Sequence, residues 1–231
     1  MDPRKLFVDE RLTGLCGYCG TDPDSRDHIP SRVLLDEPFP PNLPVVEACG
    51  ICNSGFSQDE EYVACLVECA ICGTTEPEAL QRRKIGKILR ERPLLMARIR
   101  ESRVEDADGN LLWRADTKRV VNVVLKLARG HLAYELNVFH LEPPSVLEFK
   151  PLVMMMEEER VAFESLPEDG SMLYPEIGSR AFIKMWESES EWHDWREVQP
   201  GRYRYRIEQS GTGDKVQLVI SEYLACTIVW E

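Results

Sequence analysis

Two CxxC pairs constrain what this chain can fold into more than any other feature. Cys16 and Cys19 form the first pair, Cys49 and Cys52 the second, and 29 residues separate them. A CxxC knuckle presents two thiolates from one tight turn. Two knuckles complete a tetrahedral four-sulfur shell for zinc, closed to further ligands and therefore structural. Residues 10–55 are rich in Gly, Pro, Asp and Cys and poor in long apolar runs. Such a segment cannot bury a sizeable core unaided, and zinc would supply the folding energy it lacks.

The remaining cysteines read differently. Cys65, Cys69 and Cys72 fall at i, i+4 and i+7, one face of a helix, and are expected as packed thiols. No apolar run is long enough for a membrane span, and "MDPRKLFVDERL" lacks the apolar centre of a signal peptide. The expectation is a cytoplasmic protein without a membrane partner. Reducing conditions there favour metal ligation over disulfides.

Charge is unevenly placed. The net charge is −12, which argues against non-specific binding of nucleic acid by the chain as a whole. Residues 1–72 balance to −8 and residues 130–231 to −10, whereas residues 82–129 balance to +8. The basic middle is either a solvated helical face or a phosphate-facing surface.

Between the knuckles stands "RDHIPSR", and the second knuckle runs into "CNSGFSQDEEY". The order CxxC, Asp27-His28-Ile-Pro30, Asn42, then CxxC-Asn53 resembles the HNH endonuclease family in its zinc-stapled form, over roughly residues 12–65. The resemblance implies a ββα-metal core and hydrolysis of phosphodiester bonds, with His28 as general base. It implies Asp27 and Asn53 as oxygen ligands of a catalytic divalent cation, Mg²⁺ or Mn²⁺. It gives Asn42 the task of orienting the loop that carries His28, and it makes Cys16, Cys19, Cys49 and Cys52 the structural zinc site.

The pattern elsewhere sets the fold class as α+β. "VVEAC" reads as a short strand. Ser57-x-x-Glu60 is a capping-box signature for a helix over about 57–70, with an earlier start near Asn53 also open. Thr75 is expected to cap a following helix, Pro77 to sit in its first turn, and Pro93 to break the run. "DADGN" reads as a turn, and "TKRVVNVVLKLARGHLAYE" as an apolar helix ending at Gly130. The last hundred residues read as antiparallel strands, with a hairpin in "YRYRIEQSGTGDKVQLVI" that leaves one face solvated. The division expected is a zinc-stapled module over 10–75, then a basic helical segment leading into a β-rich part over 76–231.

Two function classes follow. One is a metal-dependent HNH-type endonuclease acting on nucleic acid, DNA before RNA, with residues 82–103 guiding the substrate. The other is a catalytically inactive zinc module that binds nucleic acid or a protein partner. The β-rich part is open to a dimerisation or partner role. His131 and His140 are expected to be structural.

Overall fold

The structure, a computed structural model, describes residues 14–106, 109, 111–165, 175–176, 179–187 and 194–231. Strand β1 (Ser25–His28) pairs antiparallel with β2 (Val45–Ala48), which sets Asp27 opposite Val46 and His28 opposite Val45. The connection between them carries the prolines that keep it irregular. Helix α1 (Gly50–Cys72) follows β2 directly.

Helix α1 starts seven residues before Ser57 because the second knuckle is its own cap. Cys49 stands at the N-cap, and its Sγ accepts from the Cys52 amide at 3.4 Å. Asp24 Oδ1 accepts from the Gly50 amide at 2.5 Å. These acceptors satisfy two of the open amides at the start of the helix. Ser57 instead lies inside the helix and donates to the Ser54 carbonyl at 3.0 Å. The helix ends at Gly73, whose φ of +67° a β-carbon would strain. Cys65 and Cys69 are buried on its inner face, as their spacing expects, and Cys72 is half-buried.

Two short helices come next, α2 (Arg83–Glu91) and α3 (Pro93–Glu101), with Pro93 opening the second. Thr75 does not cap a helix; it is buried and accepts from Arg100 Nε at 3.2 Å. The cap of α2 comes from buried Glu68, whose Oε1 accepts from the Arg82 amide at 2.7 Å. Most of the "DADGN" turn lies outside the described residues. The strands on either side of it, β3 (Arg103–Glu105) and β4 (Leu111–Trp113), form an antiparallel pair.

Helix α4 (Thr117–Leu136) does not stop at Gly130 but runs on to Asn137, which takes the left-handed cap at φ +58°. Gly130 is an interior glycine fixed by packing. A β-carbon there would stand 1.6 Å from Ile29 Cδ1, the residue after His28. Val120, Val123, Val124, Leu127, Leu132 and Leu136 of α4 are almost wholly buried. Each such Leu or Val contributes about 1.5–3 kcal/mol by leaving water.

The remainder comprises β5 (Val146–Pro151), α5 (Glu157–Glu164), α6 (Arg180–Glu187), β6 (Arg196–Gln199), β7 (Tyr203–Ser210), β8 (Gly213–Ile220) and β9 (Leu224–Trp230). The strands make one antiparallel sheet in the order β5-β9-β8-β7-β6. The expected hairpin is β7–β8. Its second face is not left to solvent: Leu152 and Phe163 pack on Val219 and Ala225, and Arg206 is buried there. One hydrophobic core runs from Cys16 through α1 and α4 to Trp230, so α4 joins the cysteine-bearing segment to the sheet. The architecture is α+β. Among the described residues no helix is long and apolar enough to cross a membrane.

Candidate functional site

The Sγ atoms of Cys16, Cys19, Cys49 and Cys52 all lie within 4.8 Å of one another. Cys19 and Cys49 are 3.7 Å apart, sulfur to sulfur. A tetrahedron with Zn–S bonds of about 2.3 Å has edges of about 3.8 Å. A disulfide would need about 2.05 Å, and all four cysteines are free. The cluster therefore suits a metal ion such as zinc. The first knuckle is shaped by Cys16 N donating to the Thr21 carbonyl at 2.7 Å and Gly20 N to the Cys16 carbonyl at 2.9 Å. Gly17 N donates to the Glu47 carbonyl at 2.9 Å and so pins this knuckle to β2. The Thr21 hydroxyl and amide hold the Cys19 thiol down to about 6, in the range where it ionises as a ligand.

His28 ends β1 and is half-buried. Burial, with Arg32 next in weight, pushes its imidazole below the usual value; the Asp27 carboxylate and the Pro44 carbonyl pull the other way. The ring is thus neutral at pH 7. Its Nδ1 is buried with no hydrogen-bond partner among the described residues. Arg32, one of the charges that act on His28, and Lys84 both lie over the Phe39 ring. The Arg32 guanidinium lies 5.4 Å and the Lys84 ammonium 5.0 Å from its ring centre, and Lys84 also donates to the Arg32 carbonyl at 2.9 Å.

Of the two residues expected to hold a catalytic cation, Asp27 is engaged through one carboxylate oxygen and Asn53 through its amide nitrogen. Asp27 is buried; its Oδ2 accepts from the Tyr18 hydroxyl at 2.7 Å and from Lys126 Nζ at 2.8 Å. Burial and Asp27 push the Tyr18 pKa well up, so the phenol stays a donor. Asn53 sits in the first turn of α1, and its Nδ2 donates to Ser25 Oγ at 3.3 Å and to the Arg26 carbonyl at 3.2 Å. It tethers the helix to β1. A divalent cation at Asp27 Oδ2 would have to displace the Lys126 ammonium. Asn42 is exposed in a turn and makes no hydrogen bond among the described residues. The segment after His28 is braced instead by Ile29 N on the Pro44 carbonyl at 2.9 Å and by Lys126 Nζ on the His28 carbonyl at 3.2 Å.

Part of the basic middle of the chain is neutralised in place. Arg82 pairs with Asp36, Arg90 with Glu78, Arg92 with Glu61 and Arg100 with Glu76. The sequence gives no role to Tyr18 and Lys126 inside or to Phe39 outside, and it reads Glu60 as part of a helix cap where the structure has it bonded to Lys126. Lys126 carried a readable signal. It is the one charge among Val123, Val124, Leu127 and Gly130 on the inward face of a helix.

Comparison with protein-family models, with curated proteins and with solved structures gives no match for the chain.

Proposed function

We propose that the chain is an HNH-type phosphodiester hydrolase acting on nucleic acid, DNA before RNA, with His28 as general base. One observation carries this reading: a neutral, half-buried imidazole at the end of β1, with Arg32 near enough to act on it and Lys84 bonded to the Arg32 carbonyl. The two cations neutralise phosphate. In the step proposed, Nε2 takes a proton from water as its oxygen bonds phosphorus. The P–O bond to the leaving oxygen breaks, and solvent protonates that oxygen. Arg32 and Lys84 stabilise the charge that gathers on the phosphoryl oxygens. The cysteine cluster, loaded with zinc, holds β1 and α1 in register and stays outside the chemistry.

Zinc-loaded protein incubated with plasmid DNA and with RNA, with and without Mg²⁺ or Mn²⁺, tests the reading. Cleavage that falls by a factor of about 10² to 10⁴ in His28→Ala is the expected result. Equal cleavage by that variant, or none by the parent protein, would sink it.

A second reading is favoured by the Lys126–Asp27 pair, since a carboxylate so engaged is lost to metal chemistry. In that reading the same surface binds nucleic acid or a protein partner without cutting. Zinc-dependent binding of DNA or RNA by a protein that leaves both intact would select it.

A further inference from the structure

Lys126 reaches from α4 into the junction between the β1–β2 hairpin and α1, and its side chain is wholly buried. Four oxygens surround its ammonium. Asp27 Oδ2, Glu60 Oε1 and Ser31 Oγ are each 2.8 Å from Nζ, and the His28 carbonyl is 3.2 Å away. The Tyr18 hydroxyl donates to the same Asp27 oxygen, and the Ser31 hydroxyl donates to Glu60. The donors are all hard oxygens, two of them carboxylates. They come from β1, from the segment after it and from α1. Such a set suits a small hard cation.

We infer that Lys126 is a built-in cation: its ammonium takes the position at the hairpin–helix junction that a divalent ion would otherwise fill. Three N–H bonds match three of the four acceptors, and the positive charge offsets the paired carboxylates. The ammonium arrives on a helix fixed by the core, so it cannot exchange with solvent ions. The junction then assembles without a dissociable metal, and Asp27 is structural. This inference stands on the contacts of Lys126 and holds whether or not His28 cuts nucleic acid.

The oxygens left by loss of the ammonium would be two buried carboxylates, a hydroxyl and a carbonyl. Ca²⁺ prefers oxygens at about 2.3–2.6 Å, so a modest contraction of the shell would seat it. Two measurements on zinc-loaded protein test the inference. In the first, Mn²⁺ bound to the parent protein and to Asp27→Asn is counted by electron paramagnetic resonance. No Mn²⁺ that depends on Asp27 is expected; a bound Mn²⁺ lost in Asp27→Asn would overturn the inference. In the second, Lys126→Ser is melted with and without Ca²⁺ or Mn²⁺. Either ion is expected to raise its melting temperature, or to restore its fold where the variant alone is unfolded, and the gain should vanish in Lys126→Ser/Asp27→Asn. Indifference of Lys126→Ser to both ions, folded or unfolded, would overturn it. Absence of nuclease activity in every assay would remove the hydrolase reading and leave these ion measurements untouched.

Discussion

Gly130 of α4 faces Ile29 so closely that a β-carbon on the glycine would stand 1.6 Å from Ile29 Cδ1 and 2.9 Å from Cγ1. Alanine is the better helix former by about 1 kcal/mol, so an exposed glycine in this helix would gain from the change. Here the contact decides the sign. Overpacking of this kind costs about 1–3 kcal/mol or more, because Ile29 cannot retreat through a filled core. Gly130→Ala is therefore expected to lower stability in urea titration despite its propensity gain. Since Ile29 adjoins His28, the same variant should also disturb the imidazole resonances in NMR spectra.

Loss of a cysteine from the cluster should act on both metal content and fold. Cys49 is a ligand candidate and the N-cap of α1 at once. Cys49→Ser keeps a capping oxygen but weakens a four-thiolate site, whereas Cys65→Ser touches no cluster atom. Metal analysis should find stoichiometric zinc in the parent and in Cys65→Ser, and a deficit in Cys49→Ser. Cys49→Ser should also lose helical circular dichroism, because metal binding and folding of this segment are linked.

The two cations over Phe39 predict a distinct salt response. If Arg32 and Lys84 each neutralise one phosphate, each alanine variant should weaken DNA binding whatever the base sequence. It should also reduce the slope of log affinity against log salt by about 1. Arg90→Ala, which loses a charge already paired with Glu78, should leave the slope unchanged. Fluorescence anisotropy across a salt series separates the two cases.

The pH profile of hydrolysis follows from the sign of the His28 shift. Burial and Arg32 lower its pKa, so the base form persists below pH 6.5, the ordinary histidine value. Cleavage rate is expected to be level above pH 6.5 and to fall only at more acid pH, as the ring takes its proton. In an Arg32→Ala variant the fall should move toward higher pH. Initial rates between pH 5 and 8 measure it.

The sequence makes the cysteine cluster legible because ligand spacing is a local constraint. Cys16/Cys19 and Cys49/Cys52 each sit in one turn, and four thiolates have few other uses in a segment without a core. Helix α1 was legible in its apolar face, yet its start was misplaced. Ser57 and Glu60 match a capping box, while the true cap is a cysteine whose sulfur takes the amide bond, a pattern that capping rules built on oxygen do not cover. Gly130 reads as a helix terminator by propensity, and only the approach of Ile29, a hundred residues away, explains it as an interior residue. Lys126 is the same case in electrostatics. Its partners Asp27, Ser31 and Glu60 lie in three separate segments, so no local pattern announces them. Asp27 stands out in the sequence by motif, but the lysine that pairs with it stands on α4, which the motif does not reach.

A second buried network predicts how the protein responds to acid. Glu135 lies within the core at the end of α4, where Tyr205 Oη donates to it at 2.5 Å, Lys184 Nζ donates at 3.0 Å and Arg196 Nη1 forms an ion pair with it at 2.5 Å. Burial pushes its carboxyl up, but Arg196 and Lys184 overcome this and hold it at about 2. One turn away, His131 stacks on Tyr205 and shares a hydrogen bond of 2.8 Å with Tyr203, and burial lowers it to about 3. Both groups bind protons in the unfolded chain at a higher pH than in the folded one. Unfolding therefore takes up protons, His131 between pH 6.5 and about 3 and Glu135 between 4.5 and about 2. Stability is present in full above pH 6.5 and is lost as pH falls, at up to about 1.4 kcal/mol per pH unit for each group in its own window. His131→Phe keeps the stack and removes the titration below pH 6.5, although it leaves the Tyr203 hydroxyl without that partner. Its stability at pH 7 should be lower than the parent's, yet its decline between pH 6.5 and 5 should be shallower. Urea midpoints measured at half-unit steps from pH 7.5 to 4.5 test this. Parallel declines for the two proteins would show that His131 takes its proton as readily in the folded state as in the unfolded one, contrary to the burial argument.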